Sequence, residues 1–483
     1  MVSPRGDVWP APGYDLKYMT GRRFSLVLCI SLVCMLARKV TEAQSPAARD
    51  SDRALASAQE AYDHGNPEKA VAALADYLRV DPENFDANEL MGLSLVAEQR
   101  FGDAKGFLAA AVKVNPRSAL ALANLATDLA ELNEADAAEI QFKKALALDP
   151  NGVELNHNFG EFYAAREKMK EAIPLLRKAQ QLRPTYNNGY DLAVAETDDG
   201  ELDAAENDVR TLLRQQKAAE LHTLLGTILE KKRSFIAAGN EFQQAALIDP
   251  SEDNLVNWGA ELLRHRTLEP AAQVFGKGIE RFPKSWRLQV GLGVSEYLLG
   301  HQKEAVDAFC AAIDVNPKNT QPYYFLSRVH GVPAEQESAV SSRFEEYVKN
   351  APKDPKAPFY YAMNLWDSDN GQAEGTDMAK VKSLLQQAIL LDPRFAEAHL
   401  QLGILYEKES NQQLALSEFE HAVALDASLS IAHFRLGHAL IRSGDLKRGR
   451  RELEEGETLK TQEEDKIQHK QQEILQFLYN PSK

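Results

Sequence analysis

The sequence predicts an all-α fold: a right-handed superhelical solenoid of about twelve helix-turn-helix units with a C-terminal capping helix. Three periodic features carry that expectation. Prolines fall at Pro82, Pro116, Pro150 and Pro184, each 34 residues after the last, and the series continues through Lys217, Pro250, Pro283, Pro317, Pro352, Pro393 and Ala427. Twelve residues before the stops stand Ala70, Ala104, Ala138, Ala172, Ala205, Ala238, Ala271 and Ala305. Small residues (Gly92, Ala126, Gly160, Ala193, Gly226, Gly259, Gly293, Gly403, Gly437) keep step with bulky ones (Leu108, Phe142, Leu176, Phe242, Phe275, Phe309, Phe344, Leu385, Phe419, Leu453). A period of this length marks stacked supersecondary units, each too small to bury its own apolar face.

The first element is a segment for export. Residues 24–37 are an unbroken apolar run behind Arg22 and Arg23, the shape of a signal-peptide core. As a helix the run spans about 21 Å, short of the ~30 Å hydrocarbon layer, so cleavage is favoured over an anchor formed by residues 24–37. Thr41-Glu42-Ala43 offers the small residues a signal peptidase reads, which makes Gln44 the expected mature start and the location periplasmic or extracellular. Residues 44–50 read as a linker.

The repeated units then occupy residues 51–318 as units 1–8. Within one of them, Asn156, Phe159, Gly160 and Tyr163 share one face of a first helix. A second helix carries Ala172, Leu176 and Ala179 and stops at Arg183-Pro184, because proline cannot continue a helix and pushes the residue before it towards extended geometry. The missing side chain in the small column lets the second helix approach, and the bulky column fills the space around that contact.

These units resemble tetratricopeptide repeats over residues 51–461. The family pattern is met by Leu122-Leu125-Ala126-Leu129 with Ala138-Phe142-Ala145-Pro150, by His222-Leu225-Gly226-Leu229 with Ala238-Phe242-Ala245-Pro250, and by His399-Leu402-Gly403-Tyr406 with Ala415-Phe419-Ala422. Residues 319–394 depart from it. They contain Pro322, Pro333, Pro352, Pro355 and Pro358 and an insertion at Asp367–Gly375, and read as two degenerate units. Their aromatics (Tyr323, Tyr324, Phe325, Phe359, Tyr360, Tyr361, Trp366) are expected to repack an irregular core, with a hinge or binding elbow as the alternative. Units 11 and 12 cover residues 395–461, and residues 462–483 read as a capping helix and tail that shield the open end of the stack.

Composition and motifs narrow the function. A net charge of −16 speaks against general affinity for nucleic acid, and removing residues 1–43, where Lys and Arg outnumber Asp and Glu, leaves the rest more acidic still. No integral membrane domain is expected beyond the N-terminal segment. Cys29 and Cys34 share the apolar run and only Cys310 lies elsewhere, so neither a disulfide framework nor a cysteine-based metal site can be built. Cys310 is expected to be an inert, half-buried thiol. The sequence holds no glycine-rich phosphate loop, no G-x-S-x-G elbow and no H-E-x-x-H helix, and His433 and His438 are read as packing or surface residues. No enzyme, cofactor or metal is therefore expected, and no catalytic domain in the 22 residues after the last unit.

The resemblance implies that partners are held on the inner face of the first helices, which in this family lines a concave groove. The groove residues expected on that basis are Asn124, Thr127, Glu154, His157, Asn158, Glu161 and Asn257, with Thr223 and Thr227 nearby. Asn124, Asn158 and Asn257 occupy one place in the repeat, and a side-chain amide both donates and accepts, as a peptide backbone requires. Similar asparagines line the arrays of O-GlcNAc transferases. Asp86, Glu154, Glu161, Glu220 and Asp253 would incline such a groove towards basic segments. The expected function is an exported scaffold for protein–protein interaction that binds an extended peptide. The alternatives are carbohydrate or envelope-polymer binding and a structural subunit of an envelope assembly.

Overall fold

A computed structural model of the chain describes residues 46–329, 331–367 and 378–479. The export segment, most of the insertion after Asp367 and the last four residues lie outside the described residues. Among the described residues the chain is all-α, with 24 helices and no strand. It divides into two compact units between Lys217 and Ala218.

In the first unit helices follow one another as hairpins. α1 (Pro46–Asp63) pairs with α2 (Pro67–Val80), α3 (Phe85–Ala97) with α4 (Phe101–Val114), α5 (Ala119–Glu131) with α6 (Ala135–Leu148), α7 (Val153–Ala164) with α8 (Met169–Leu182), and α9 (Tyr186–Asp199) with α10 (Leu202–Gln215). The second unit repeats the arrangement with α11 (Ala219–Lys231) and α12 (Phe235–Ile248), α13 (Glu252–Arg264) and α14 (Leu268–Arg281), and α15 (Trp286–Leu299) and α16 (Gln302–Val315). It continues with α17 (Thr320–Leu326) and α18 (Ala334–Asn350), α19 (Lys356–Asp367) and α20 (Met378–Leu391), α21 (Ala396–Lys408) and α22 (Gln412–Leu425), and α23 (Ser430–Ser443) and α24 (Leu446–Tyr479).

Local chemistry sets these boundaries. Side chains of Asn84, Ser118, Thr185, Ser285 and Asn319 accept a backbone N–H at the start of a first helix, satisfying a donor the helix leaves open. Between the two helices of a hairpin the chain turns through a residue of positive φ: Gly65, Gln99, Asn133, Glu167, Gly200, Arg233, Arg266, Gly300, Ser410 and Gly444. Only four of these ten are glycine, so the left-handed turn is imposed by packing on side chains that disfavour it.

Packing follows the two sequence columns. All eight alanines from Ala70 to Ala305 are fully buried, as are Leu108, Phe142, Leu176, Phe275, Phe309 and Phe419. A methyl group added to Gly160 would lie 2.7 Å from Leu176, and one added to Gly259 2.6 Å from the Phe275 ring. The small residue is thus the space into which the bulky residue sixteen positions later fits. Each unit has a continuous apolar core, one running from Ala58 to Ala195 and the other from Ala246 to Leu440.

Three features differ from expectation. The stretch expected as a linker is helical from Pro46. α24 runs unbroken for 34 residues, so the second helix of the last hairpin and the expected cap are one element, with no proline between them. α17 has only seven residues, and aromatic rings fill the space that a longer first helix would occupy. Tyr323 stacks on Tyr347 at 4.1 Å between centroids, Phe309 on Phe325 at 5.8 Å, and Phe359 meets Phe395 at 4.8 Å. Tyr323, Phe325, Tyr361 and Trp366 are buried, which is the repacking role. Among the described residues no helix is long and apolar enough to cross a membrane.

Candidate functional site

The first-helix positions expected to face a partner fall into two chemically distinct sets. Asparagines near the start of these helices are structural. Asn88 Nδ2 donates to the carbonyls of Pro82 (2.9 Å) and Asn84 (2.8 Å), Asn156 to those of Pro150 (3.1 Å) and Gly152 (2.8 Å), Asn188 to that of Arg183 (2.9 Å) and Asn254 to that of Asp249 (2.8 Å). They tie each first helix to the turn before it and are buried.

His399 and His433 do the same work, bonding the carbonyls of Pro393 and Ala427 through Nε2 and a glutamate, Glu418 or Glu452, through Nδ1 at 2.6 and 2.8 Å. His222 Nδ1 meets Glu241 in the same way at 2.6 Å. All three glutamates lie nineteen residues after their histidine, on the second helix of the hairpin. His438 is exposed, so His433 and His438 do not act as a pair.

The other set is not spent on the fold. Asn158, half-buried on α7, and Asn257, 7% exposed on α13, make no side-chain hydrogen bond among the described residues. Asn124 differs: its Nδ2 donates to Glu89 Oε1 at 3.0 Å, across from α5 to α3. Thr127 is buried on α5. Thr223 donates to Asn254 Oδ1 at 3.1 Å and Thr227 to the Thr223 carbonyl at 3.0 Å, so both hydroxyls are engaged.

Several expected acids are neutralised by the chain itself. Glu154 is paired with Arg183 at the end of the second helix of its own hairpin, and Asp253 with Arg287 from the neighbouring repeat. Asp86 stands exposed on α3.

Beneath this surface lies a run of buried acids on the first helices of the first unit. Glu89 is 7% exposed, and burial pushes its carboxyl up to about 7 against the pull of the Asn124 bond, with Asp86 adding to the rise. Asp128 is fully buried with neither carboxylate oxygen hydrogen-bonded, and desolvation raises it to about 7 although Lys105 opposes the shift. Glu161 is 5% exposed and is pushed up to about 8, by burial first and by Asp191 second. His157 sits one turn before Glu161, and burial lowers its pKa. Its Nε2 lies 3.5 Å from Glu161 Oε2 and 3.6 Å from Asp191 Oδ2 on α9.

Of the seven expected groove residues, the structure thus gathers His157 and Glu161 and adds Asp191, which sequence reasoning missed. A signal for it existed. Asp191 stands two residues before Ala193, the place that Asn158 holds before Gly160, so it continues the asparagine column with an acid. Cys310 is buried rather than half-buried, and desolvation pushes its thiol up to about 11, which disfavours the reactive thiolate.

A family model agrees with the repeat architecture. Residues 55–104, 89–153 and 124–187 match the tetratricopeptide repeat family model. A human relative, protein O-mannosyl-transferase TMTC3, is 22% identical over 297 residues, covering 61% of this chain. The chain spans only 30% of that relative's length. Among solved structures, yeast Tom70 aligns over 89% of this chain and 96% of its own with 15% identity and a TM-score of 0.42. PilF of Pseudomonas aeruginosa aligns over 43% and 96% with 22% identity and a TM-score of 0.36.

Proposed function

We propose that this chain, which belongs to the tetratricopeptide repeat family, is an exported scaffold that holds an extended segment of a protein partner along its first helices. The repeat fold supports a role in protein–protein interaction. The finer reading rests on the contrast between two kinds of asparagine. Asn156 and Asn254 spend their amides on backbone carbonyls, whereas Asn158 and Asn257, two and three residues further along the same helices, make no side-chain hydrogen bond among the described residues. A half-desolvated amide without a partner costs free energy unless something else meets it, and a peptide backbone offers both the donor and the acceptor it needs.

Recognition of this kind reads the backbone more than the side chains. With Glu154 and Asp253 already paired, a preference for Lys or Arg in the segment would rest on Asp86, and would weaken as salt rises. The export reading rests on the residue pattern of 1–43. Scaffolding without turnover is the reading for activity, since among the described residues no set supplies nucleophile, base and stabiliser together.

The test is affinity for a partner recovered from the exported fraction and narrowed to a peptide. Asn158→Ala is expected to weaken binding roughly five- to tenfold, about 1–1.4 kcal/mol, with helicity unchanged. Equal affinity in the variant would remove the amide from the account.

A further inference from the structure

The cluster of His157, Glu161 and Asp191 in the first unit has a geometry that the peptide reading does not use. His157 Nε2 lies 3.5 Å from Glu161 Oε2 and 3.6 Å from Asp191 Oδ2, and the three ligand atoms lie within 4.8 Å of one another. Those separations are too long for hydrogen bonds, which would close to about 2.7–3.2 Å. The two distances from His157 Nε2 are also shorter than the roughly 4.6 Å at which acceptors around a lysine ammonium stand at ~2.8 Å contacts. Ligand atoms held about 2.0–2.2 Å from a tetrahedral metal ion stand roughly 3.3–3.6 Å apart.

A second observation points the same way. Glu161 is 5% exposed, and its Oε2, the atom facing the imidazole, has no hydrogen-bond partner. A buried carboxylate oxygen in that state is expensive unless a cation meets it. His157 Nδ1 is likewise buried without a partner, unlike the Nδ1 atoms of His222, His399 and His433, each of which is fixed by a glutamate. His157 therefore does not do the structural work of the other histidines.

Two further clusters of similar composition are already satisfied by protein groups. His399 uses both ring nitrogens, on Glu418 and on the Pro393 carbonyl. Glu230 and Glu261, beside His265, share the guanidinium of Arg264 at 3.2 and 2.6 Å. In the cluster at His157, by contrast, Glu161 Oε2 and His157 Nδ1 meet no protein group.

We propose that His157 Nε2 and one carboxylate oxygen each from Glu161 and Asp191 form a binding site for a single divalent metal ion of the zinc class. The donor set suits this. One imidazole and two carboxylates favour a borderline ion such as Zn²⁺, and three protein ligands leave a fourth position open. Residues one turn apart on α7 supply two ligands and the adjacent first helix α9 supplies the third, so the ion would staple neighbouring repeats together. The site stands independently of peptide binding, and its failure would leave the Asn158 reading untouched.

The experiment uses the untagged full chain, stripped with a chelator and titrated with Zn²⁺ against a chromogenic competitor, with Co²⁺ as a spectroscopic probe. One equivalent is expected to bind and to raise Tm, and Co²⁺ is expected to give the visible band of a tetrahedral site. His157→Ala and Glu161→Gln should each lower the affinity at least about tenfold, while replacing His421, which lies with His399 and Glu418 in the rival cluster, by alanine leaves it unchanged. Circular dichroism of each variant confirms that it is folded. Absence of a tight equivalent, or equal affinity in both folded variants, overturns the site. So does stabilisation by N-acetyl-lysine methylamide in place of Zn²⁺, lost in Glu161→Gln, because the pocket would then be one for an ammonium group.

Discussion

Replacing Asp128 by serine should stabilise the protein at alkaline pH and do little in acid. Asp128 is fully buried on α5 with both carboxylate oxygens lacking hydrogen bonds, and its pKa is raised from 3.8 to about 7, by desolvation above all. The folded state therefore holds a proton that the unfolded chain has released between about pH 4 and 7. Since the unfolded state binds fewer protons over that window, stability falls as pH rises through it and levels off above the folded pKa. At 1.36 kcal/mol per unit, the penalty approaches about 4 kcal/mol by pH 8.

Serine occupies the equivalent place in two other repeats. Ser94 Oγ donates to the Leu90 carbonyl at 2.7 Å and Ser295 Oγ to that of Gly291 at 2.8 Å, so Asp128→Ser has a ready partner in the Asn124 carbonyl. Loss of the carboxyl's volume costs about 1 kcal/mol, leaving a net gain of roughly 1–3 kcal/mol at pH 8 and about zero, or a slight loss, at pH 4.5. Urea unfolding of both proteins at the two pH values measures this directly. A variant destabilised by the same amount at both would refute the reasoning, since it would mean that Asp128 carries no pH-linked penalty.

Other expectations concern packing, turn strain and thiol chemistry. Gly259→Ala places a methyl 2.6 Å from the buried Phe275 ring and should cost about 1–3 kcal/mol, whereas Gly106→Ala, in helix α4 with nothing within 4 Å, should gain about 0.5–1 kcal/mol by helix propensity; thermal unfolding checks both. Gln99 has φ +61°, so Gln99→Gly should raise stability by about 1 kcal/mol in the same assay, in contrast to glycine's usual effect. Cys310, with its thiol raised to about 11, should react with a disulfide reagent at pH 8 only as fast as the chain opens, and denaturant should accelerate the labelling.

Much of the architecture is legible in the sequence because the period repeats. The column that places Gly160 against Leu176 recurs often enough for chance to be excluded, and the eight alanines marked by register are all fully buried. What the pattern does not separate is the purpose of polar residues on one helix. Asn156 and Asn158 are the same residue type two positions apart, and only the bond from Asn156 to the Pro150 carbonyl distinguishes a structural amide from an unspent one. The same holds for histidine. His399 and His433 look scattered along the chain until their glutamates, nineteen residues on, are seen to be a second repeated column.

Charge is the least legible property. Glu154 and Asp253 read as open acids, but Arg183 from the same hairpin and Arg287 from the next repeat reach them, and such pairs depend on side-chain reach. Irregular segments behave similarly. The prolines of residues 319–394 announce a departure from the repeat, and the shortening of α17 to seven residues with its compensating ring stacks follows from packing alone.

The account's central claim is that the first helices hold the partner, and site-specific photo-crosslinking in the native host tests it most directly. Leu120 on α5 is 42% exposed and leaves Asn124 and Asn158 intact, so a photoreactive residue there samples the proposed face. Lys144 on α6 and Lys69 on α2, exposed on second helices, sample the opposite one. The account predicts a discrete protein adduct from position 120 that diminishes when Asn158→Ala is added, and none from positions 144 or 69. Adducts from positions 144 and 69 with none from 120 would contradict it.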